Sequence, residues 1–205
     1  MPKIYTDAEK QEHKHILYEQ GLKFFNEQGF KNINIDKLVS IIGVSKGYFY
    51  LLFNSKEEFF LEAILWGMHK THEKLINFKE KGTKSTQLLK IYLECIVESP
   101  HAQISDYVNA YNKIHPEFIE NFLHLIEEHY RKTLIILEKD SSPENVHILG
   151  NLVSNIHFSK IINSNDKLAF PDTYKETMDF LLNTVSDFIK KLPSDKVSYK
   201  QLADK

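Results

Sequence analysis

The sequence has few of the residues that break helices and build tight turns. Its 205 residues include seven glycines and six prolines, too few for the many turns of a sheet protein. No apolar run approaches the ~20 residues of a membrane-spanning helix. The first ten residues lack the apolar core of a secretory signal. We therefore expect a helical protein that works in the cytoplasm and does not enter a membrane.

Cysteine and histidine give little support to a chemical site. Cys95 is the single cysteine, so an intrachain disulfide is excluded and a reducing compartment is favoured. His69 and His72 are spaced like two metal ligands on one helical face, but the sequence offers no obvious third ligand. No motif orients Cys95 as a nucleophile, and no glycine-rich phosphate loop is present. We expect no catalytic site, no metal site and no cofactor.

Charge is divided unevenly along the chain, although the formal net charge is only -2. Residues 1–56 carry eight lysines against six acidic side chains, whereas residues 57–205 carry eighteen basic and twenty-two acidic side chains. A basic segment with an acidic remainder fits a small polyanion-binding module attached to a larger part. Solvated surface lysines would give the same balance.

Apolar residues recur at helical spacing through almost the whole chain. Thr6 and Glu9 form a capping box that opens a first helix, and Gly29 ends it. Ser55 opens a long helix that continues to about Phe78. Pro100, Pro116, Pro143 and Pro171 precede later apolar runs, because the first helical positions need no amide proton. The sequence predicts helices over residues 84–98, 102–114, 117–139, 144–163 and 172–192, then a polar tail after Pro193.

A pattern of two short helices lies before the long one. Asn34 is placed to cap a helix over residues 35–42, and Gly43 provides the positive φ angle of a tight turn. Ser45 is placed to cap a second helix over residues 46–53. This order is typical of a helix-turn-helix, whose second helix enters the major groove. Helical hairpins of other purposes share the spacing.

The same region resembles the tetracycline-repressor (TetR) type of regulator in the order and spacing of its residues. The resemblance is carried by Ile16-Leu17, Phe25-Asn26-Glu27-Gln28-Gly29-Phe30, Asn34-Ile35, Gly43-Val44-Ser45-Lys46-Gly47, Phe49-Tyr50, Phe53 and Ser55-Lys56-Glu57. It covers roughly the first 60 residues, beyond which only the succession of helices is similar. It implies an all-α protein with a three-helix helix-turn-helix domain over residues 7–67. A larger helical domain for ligand binding and dimerisation follows over residues 68–205.

The resemblance also implies which residues bind DNA. The lysines bring charge to phosphates, Tyr50 and Asn34 fix the register by hydrogen bonds, and Gly47 lets the helix backbone approach the DNA. Tyr48 contacts a thymine methyl or a base edge. The predicted DNA-binding residues are Asn34, Ser45, Lys46, Gly47, Tyr48, Tyr50 and Lys56.

Several positions depart from the family. Gly21, Val39 and Ile42 stand where the family mostly has alanine, which concerns the packing of the small helical bundle. Tyr48 stands where threonine is common, and Leu52 stands where an aromatic residue or histidine often touches phosphate. These two departures put the base preference and one backbone contact in question.

The central helices are rich in aromatic residues, and the resemblance implies that they surround a small ligand. Aromatic walls with few charges suit a flat or apolar molecule, although an aromatic stripe is also typical of an ordinary core. The predicted ligand-binding residues are Trp66, His69, Tyr92, Cys95, Tyr107, Tyr111 and Phe122.

The last two predicted helices each carry an apolar stripe. The resemblance implies that they build a four-helix bundle between two copies of the chain. Completion of a monomer core is the alternative. The predicted dimerisation residues are Leu149, Val153, Ile156, Met178, Leu182 and Val185.

The function implied by the resemblance is ligand-responsive control of transcription. We expect a repressor that binds a palindromic operator in double-stranded DNA as a homodimer, and that a small, largely apolar effector releases. An activator or a ligand-independent regulator of the same fold is an alternative. An all-helical enzyme or a partner-binding scaffold is another, and substrate turnover or a lack of affinity for any DNA would distinguish these two.

Overall fold

The structure, a computed structural model, describes residues 5–99, 104–163 and 170–195. These residues form nine α-helices and two short 3-10 turns. The same residues contain no strand, only one bridged pair between Lys139 and Ser194. The predicted all-α class is therefore confirmed. No helix in this part of the chain combines the length and the hydropathy needed to cross a membrane.

The helix bounds follow the sequence pattern closely. The helices are α1 (Asp7–Gln28), α2 (Ile35–Ser40), α3 (Lys46–Leu52), α4 (Lys56–Glu80), α5 (Ser85–Glu98), α6 (Ile104–Tyr111), α7 (Pro116–Ile136), α8 (Pro143–Asn163) and α9 (Tyr174–Lys191). The 3-10 turns are Phe30–Asn32 and Pro171–Thr173. Pro100, residues 102–103 of one predicted helix and the tail from residue 196 lie outside the described residues.

The helix ends show why most of these bounds were predictable. Thr6 accepts a hydrogen bond from the amide of Glu9 at 3.2 Å, and the Glu9 carboxylate accepts one from the Thr6 amide at 2.7 Å, which completes the capping box. Gly29 takes a φ of 73° after α1. The end of α7 was not predictable in this way, because Glu138, a residue that rarely adopts positive φ, has a φ of 59° there.

The chain divides into two compact units. The first comprises Met1–Gly67 and Pro100–Glu120, and the second comprises Met68–Ser99 and Asn121–Lys205. The first unit therefore holds α1 to α3 and α6, and the second holds α5, α8 and α9. The functional domains expected over residues 7–67 and 68–205 stay a prediction.

The first unit has an aromatic core. Phe59 is fully buried, and its ring centroid lies 4.9 Å from that of Phe53 and 5.2 Å from that of Phe49. A Cβ atom on Gly21 would stand 2.6 Å from Cζ of Phe59. Since no carbon tolerates that distance, Gly21 makes the room that this ring occupies. The departure from alanine at this position therefore has a physical cause.

A lysine caps one helix inside the second unit. Lys160 of α8 is buried, and its ammonium donates to the carbonyl oxygens of Ile96, Val97 and Ser99 at 2.7, 2.6 and 3.2 Å. These carbonyls end α5, where the helix dipole favours a positive charge. Burial lowers the pKa of Lys160 to about 8. The lysine therefore satisfies carbonyls that the helix itself leaves without donors.

Candidate nucleic-acid interface

The two short helices and their turn have the local geometry of a helix-turn-helix. The Asn34 side chain accepts from the amides of Asp36 and Lys37 at 2.8 and 3.4 Å and so caps α2. Gly43 has a φ of 70°. The Ser45 hydroxyl then accepts from the Tyr48 amide at 3.2 Å and caps α3. Asn34 and Ser45, both predicted to bind DNA, thus have a structural role at the helix starts.

The seven residues of α3 separate into an inward and an outward face. Phe49 is fully buried, and Leu52 is partly buried on the same side. Since successive residues are rotated by about 100°, Lys46, Gly47, Tyr50 and Leu51 fall on the other side, and all four are exposed. Their outward face is the surface that the helix-turn-helix presents, and we call it the α3 face.

Tyr48 lies on the inward side, contrary to the role expected of it at the bases. It is 8% exposed, and its hydroxyl lies 3.0 Å from Nδ1 of His13 on α1. Its ring centroid is 4.4 Å from that of Tyr5. Because Phe49 fixes the rotation of the helix, Tyr48 is turned toward α1. The structure therefore gives Tyr48 a packing role between α3 and the start of α1.

The two predicted lysines lie in different surroundings. Lys46 pairs with the Asp36 carboxylate at 3.0 Å, and both side chains are exposed. An exposed ion pair of this kind contributes little stability. Replacing the Asp36 carboxylate by a DNA phosphate as the partner of Lys46 therefore costs little free energy. The Lys56 ammonium lies 4.6 Å from the centroid of the Phe30 ring, and burial lowers the pKa of Lys56. Of the two, Lys46 belongs to the α3 face.

The predicted ligand-binding residues fall in both units. Tyr107 and Tyr111 have ring centroids 6.5 Å apart in the first unit, to which Trp66 also belongs. In the second unit Tyr92 and Phe122 are buried and Cys95 is half-buried. His69 also belongs to the second unit, but it is exposed and lies 3.2 Å from the Glu73 carboxylate.

A buried histidine pair in the second unit was not found from the sequence. His72 of α4 stacks on His129 of α7 with ring centroids 4.4 Å apart, and its Nε2 lies 3.2 Å from the Thr133 hydroxyl. Burial lowers the pKa of His72 to about 4 and lowers the pKa of His129 well below its ordinary value. Both rings are therefore neutral at physiological pH. His72 and exposed His69 do not converge on one site.

Two polar atoms in the second unit are buried without a protein partner. Among the described residues, the Tyr92 hydroxyl and Nδ1 of His129 have no hydrogen-bond partner. Burial raises the pKa of Tyr92 far above its ordinary value, so the hydroxyl stays protonated. Such atoms are costly to bury and are the polar groups that a bound molecule can satisfy.

The predicted dimerisation residues are mostly inside the second unit. Five are buried within the single chain, and Leu182 is partly buried; the five are Leu149, Val153, Ile156, Met178 and Val185. A Cβ on Gly150 would lie 3.2 Å from the Tyr130 ring, so this small residue admits a ring of its own chain. The side chains that α8 and α9 leave outside include Ile148, Phe158 and Phe180.

Comparison with known proteins places this geometry among regulators. Residues 17–63 match the family described as "Bacterial regulatory proteins, tetR family". The uncharacterized HTH-type transcriptional regulator YuxN of Bacillus subtilis is 24% identical over 190 residues, which cover 87% of this chain and 64% of YuxN. The chain spans less than two thirds of the length of the curated relatives that it matches.

Solved structures share the fold. A transcriptional regulator from Cytophaga hutchinsonii superposes with a TM-score of 0.57 at 17% identity, covering 86% of this chain and 96% of that one. A putative transcriptional regulator from Saccharomonospora viridis in complex with choline superposes with a TM-score of 0.53 at 14% identity, covering 89% and 99%.

A helix-turn-helix of this geometry is typical of DNA-binding transcription regulators. Within that class, the match over residues 17–63 includes α2, α3 and the start of α4. Over these residues the chain resembles the tetR family of bacterial regulatory proteins.

Proposed function

We propose that the chain is a cytoplasmic repressor that binds a palindromic operator as a homodimer. We further propose that a small, largely apolar ligand releases it. The ligand acts by binding: a ligand that prefers one conformation shifts the population between DNA-bound and free protein.

The α3 face is the observation that carries the proposal. Lys46, Gly47 and Tyr50 are exposed on it, while Phe49 anchors the opposite side in the aromatic core. A short capped helix that is fixed from behind and exposed in front suits insertion into the major groove. Residues 31–56 carry four lysines against one acidic residue, which favours a polyanion at this surface.

Selection of bound fragments from the parent genome tests the DNA-binding step. Affinity of the full chain for a selected duplex is then measured by fluorescence anisotropy between about 50 and 200 mM salt, where six to ten phosphate contacts would cost about 10³–10⁵ in affinity. We expect a steep fall with salt and a palindrome in the selected fragments. A chain that enriches no fragment would contradict the proposal.

Dimerisation through α8 and α9 is supported by aromatic side chains that these helices leave outside. Phe180 is 70% exposed and Phe158 is 45% exposed, and exposed aromatic residues are typical of protein interfaces. We expect Phe180→Asp to give monomers by light scattering. We also expect it to weaken operator binding, because a single helix-turn-helix makes too few contacts with DNA. Phe78→Asp, at an exposed phenylalanine of α4, is the matched control. A wild type that is monomeric at micromolar concentration would refute dimerisation.

Ligand release is supported by the two buried polar atoms in the second unit. A largely apolar molecule that hydrogen-bonds the Tyr92 hydroxyl or Nδ1 of His129 would satisfy them. A library of small apolar compounds is screened for release of the labelled operator, and each active compound is titrated against Tyr92→Phe. We expect weaker release by this variant and unchanged release by Tyr174→Phe. By reciprocity, the compound must bind less tightly when operator is present.

A further inference from the structure

We propose that Leu51 reads a thymine methyl group in the major groove and so determines part of the operator preference. This inference rests on the proposed function, and it assigns a base contact to a residue other than Tyr48, for which the family resemblance implies one. It concerns one side chain on the α3 face.

The exposure of Leu51 is the observation that requires an explanation. Leu51 is 82% exposed, whereas its neighbour Phe49 on the same helix is fully buried. Helical rotation places Leu51 beside Gly47, and a Cβ on Gly47 would meet only the Ser45 hydroxyl, at 3.7 Å. Gly47 therefore places no side chain beside Leu51, and another surface can approach the leucine closely.

The surroundings of Leu51 indicate what that surface is. Lys46 and Tyr50 share the α3 face with it, and Tyr50 is 46% exposed. A lysine and a tyrosine hydroxyl are suited to phosphates, which position the protein without reading the sequence. The apolar group that the major groove offers to a leucine is the C5-methyl of thymine. A leucine among phosphate-binding side chains thus fits thymine in a duplex.

Replacement of thymine by uracil tests this contact, because uracil lacks only the methyl group. A duplex is first selected from a random pool with the full wild-type chain, and each thymine is then replaced symmetrically in both half-sites. The hydrophobic gain from one buried methyl predicts about a fourfold loss of affinity per half-site and about fifteenfold for both. We expect this loss in the wild type at one symmetric thymine position.

Variants then link the loss to Leu51. Leu51→Ala should bind the thymine duplex about as weakly as the wild type binds the uracil duplex, and should show no further loss with uracil. Leu51→Met should retain most of the sensitivity to uracil, since its side chain is also apolar and of similar length. Leu123→Ala, at an exposed leucine of the second unit, should behave like the wild type. Circular dichroism checks that each variant is folded.

The outcomes separate this inference from the proposed function. If Leu51→Ala loses as much affinity as the wild type when thymine is replaced by uracil, the role of Leu51 is overturned and the proposed function is not. A wild type that loses no affinity at any thymine position has the same consequence. A change of oligomeric mass in Leu51→Ala, with unchanged affinity for the thymine duplex, would show a protein contact instead. A pool that yields no enriched duplex contradicts the proposed function and this inference with it.

Discussion

The stacked pair of His72 and His129 should make the second unit sensitive to acid. His72 has a pKa of about 4 in the folded chain, against an ordinary value of 6.5, and burial is the largest cause. Nearby His69 and Lys132 lower this pKa further, whereas the hydrogen bond to the backbone of His129 opposes them. As the pH falls below 6.5, the unfolded chain takes up this proton before the folded chain does. The stability is therefore complete above pH 6.5 and is lost as the pH falls toward 4.

The size of the loss follows from the two pKa values. Each tenfold difference in proton affinity corresponds to about 1.4 kcal/mol, so the fall from 6.5 to about 4 at His72 amounts to about 3 kcal/mol. His129 adds to the loss in the same direction, because burial also lowers its pKa. A loss of this size is a large part of the stability of an ordinary domain.

Urea unfolding at a series of pH values measures the effect. His72→Gln keeps an amide that can donate to the Thr133 hydroxyl but cannot titrate. We expect the free energy of unfolding of the wild type to fall by about 3 kcal/mol more than that of this variant between pH 7 and pH 4. His124→Gln, at an exposed position of α7, is the matched control and should follow the wild type. Parallel curves for the wild type and His72→Gln would refute the reasoning.

Three further changes have expected outcomes. Gly21→Ala should lower the free energy of unfolding by about 1–2 kcal/mol, since overpacking against Phe59 outweighs the helix propensity of alanine. Gly47→Ala, with no such clash, should raise the melting temperature. Equal effects of the two variants on stability would refute this reasoning. Lys160→Met should cost about 1–3 kcal/mol by removing the donor from three carbonyls, while a variant as stable as the wild type in urea would show that the cap contributes nothing. Lys46→Ala should flatten the salt dependence of operator binding by about 0.9 per lost phosphate contact, and an unchanged slope would remove Lys46 from the interface.

Local signals made most of the fold predictable. The capping residues Thr6, Asn34 and Ser45, together with Gly29 and Gly43, act within one or two turns of the chain. The helix starts and stops of the first unit could therefore be predicted from neighbouring residues. Pro116 and Pro143 similarly mark the starts of α7 and α8. The end of α7 was missed because Glu138 takes a conformation that its residue type rarely adopts.

The candidate site was predictable only in part, because it depends on which way each helix is turned. The spacing from Phe49 to Leu51 already implies that these two side chains point to opposite sides of α3. The expectation for Tyr48 instead came from the family resemblance, which says nothing of Tyr5 and His13. The His72 and His129 stack joins residues that are 57 positions apart, and no local pattern indicates such a pair.

The contacts of Tyr48 limit how this regulator can be redesigned. Tyr48 of α3 contacts the His13 imidazole of α1 and the ring of Tyr5, which precedes α1. Helix α3 therefore cannot be exchanged independently of these residues. A graft of residues 46–52 from another regulator would remove Tyr48 and leave both of those groups facing a foreign side chain. The smallest segment that can be exchanged intact therefore includes the beginning of the chain from Tyr5 to His13. The proposed base contact, in contrast, involves Leu51 on the outward side of α3, so substituting Leu51 leaves the contacts of Tyr48 in place.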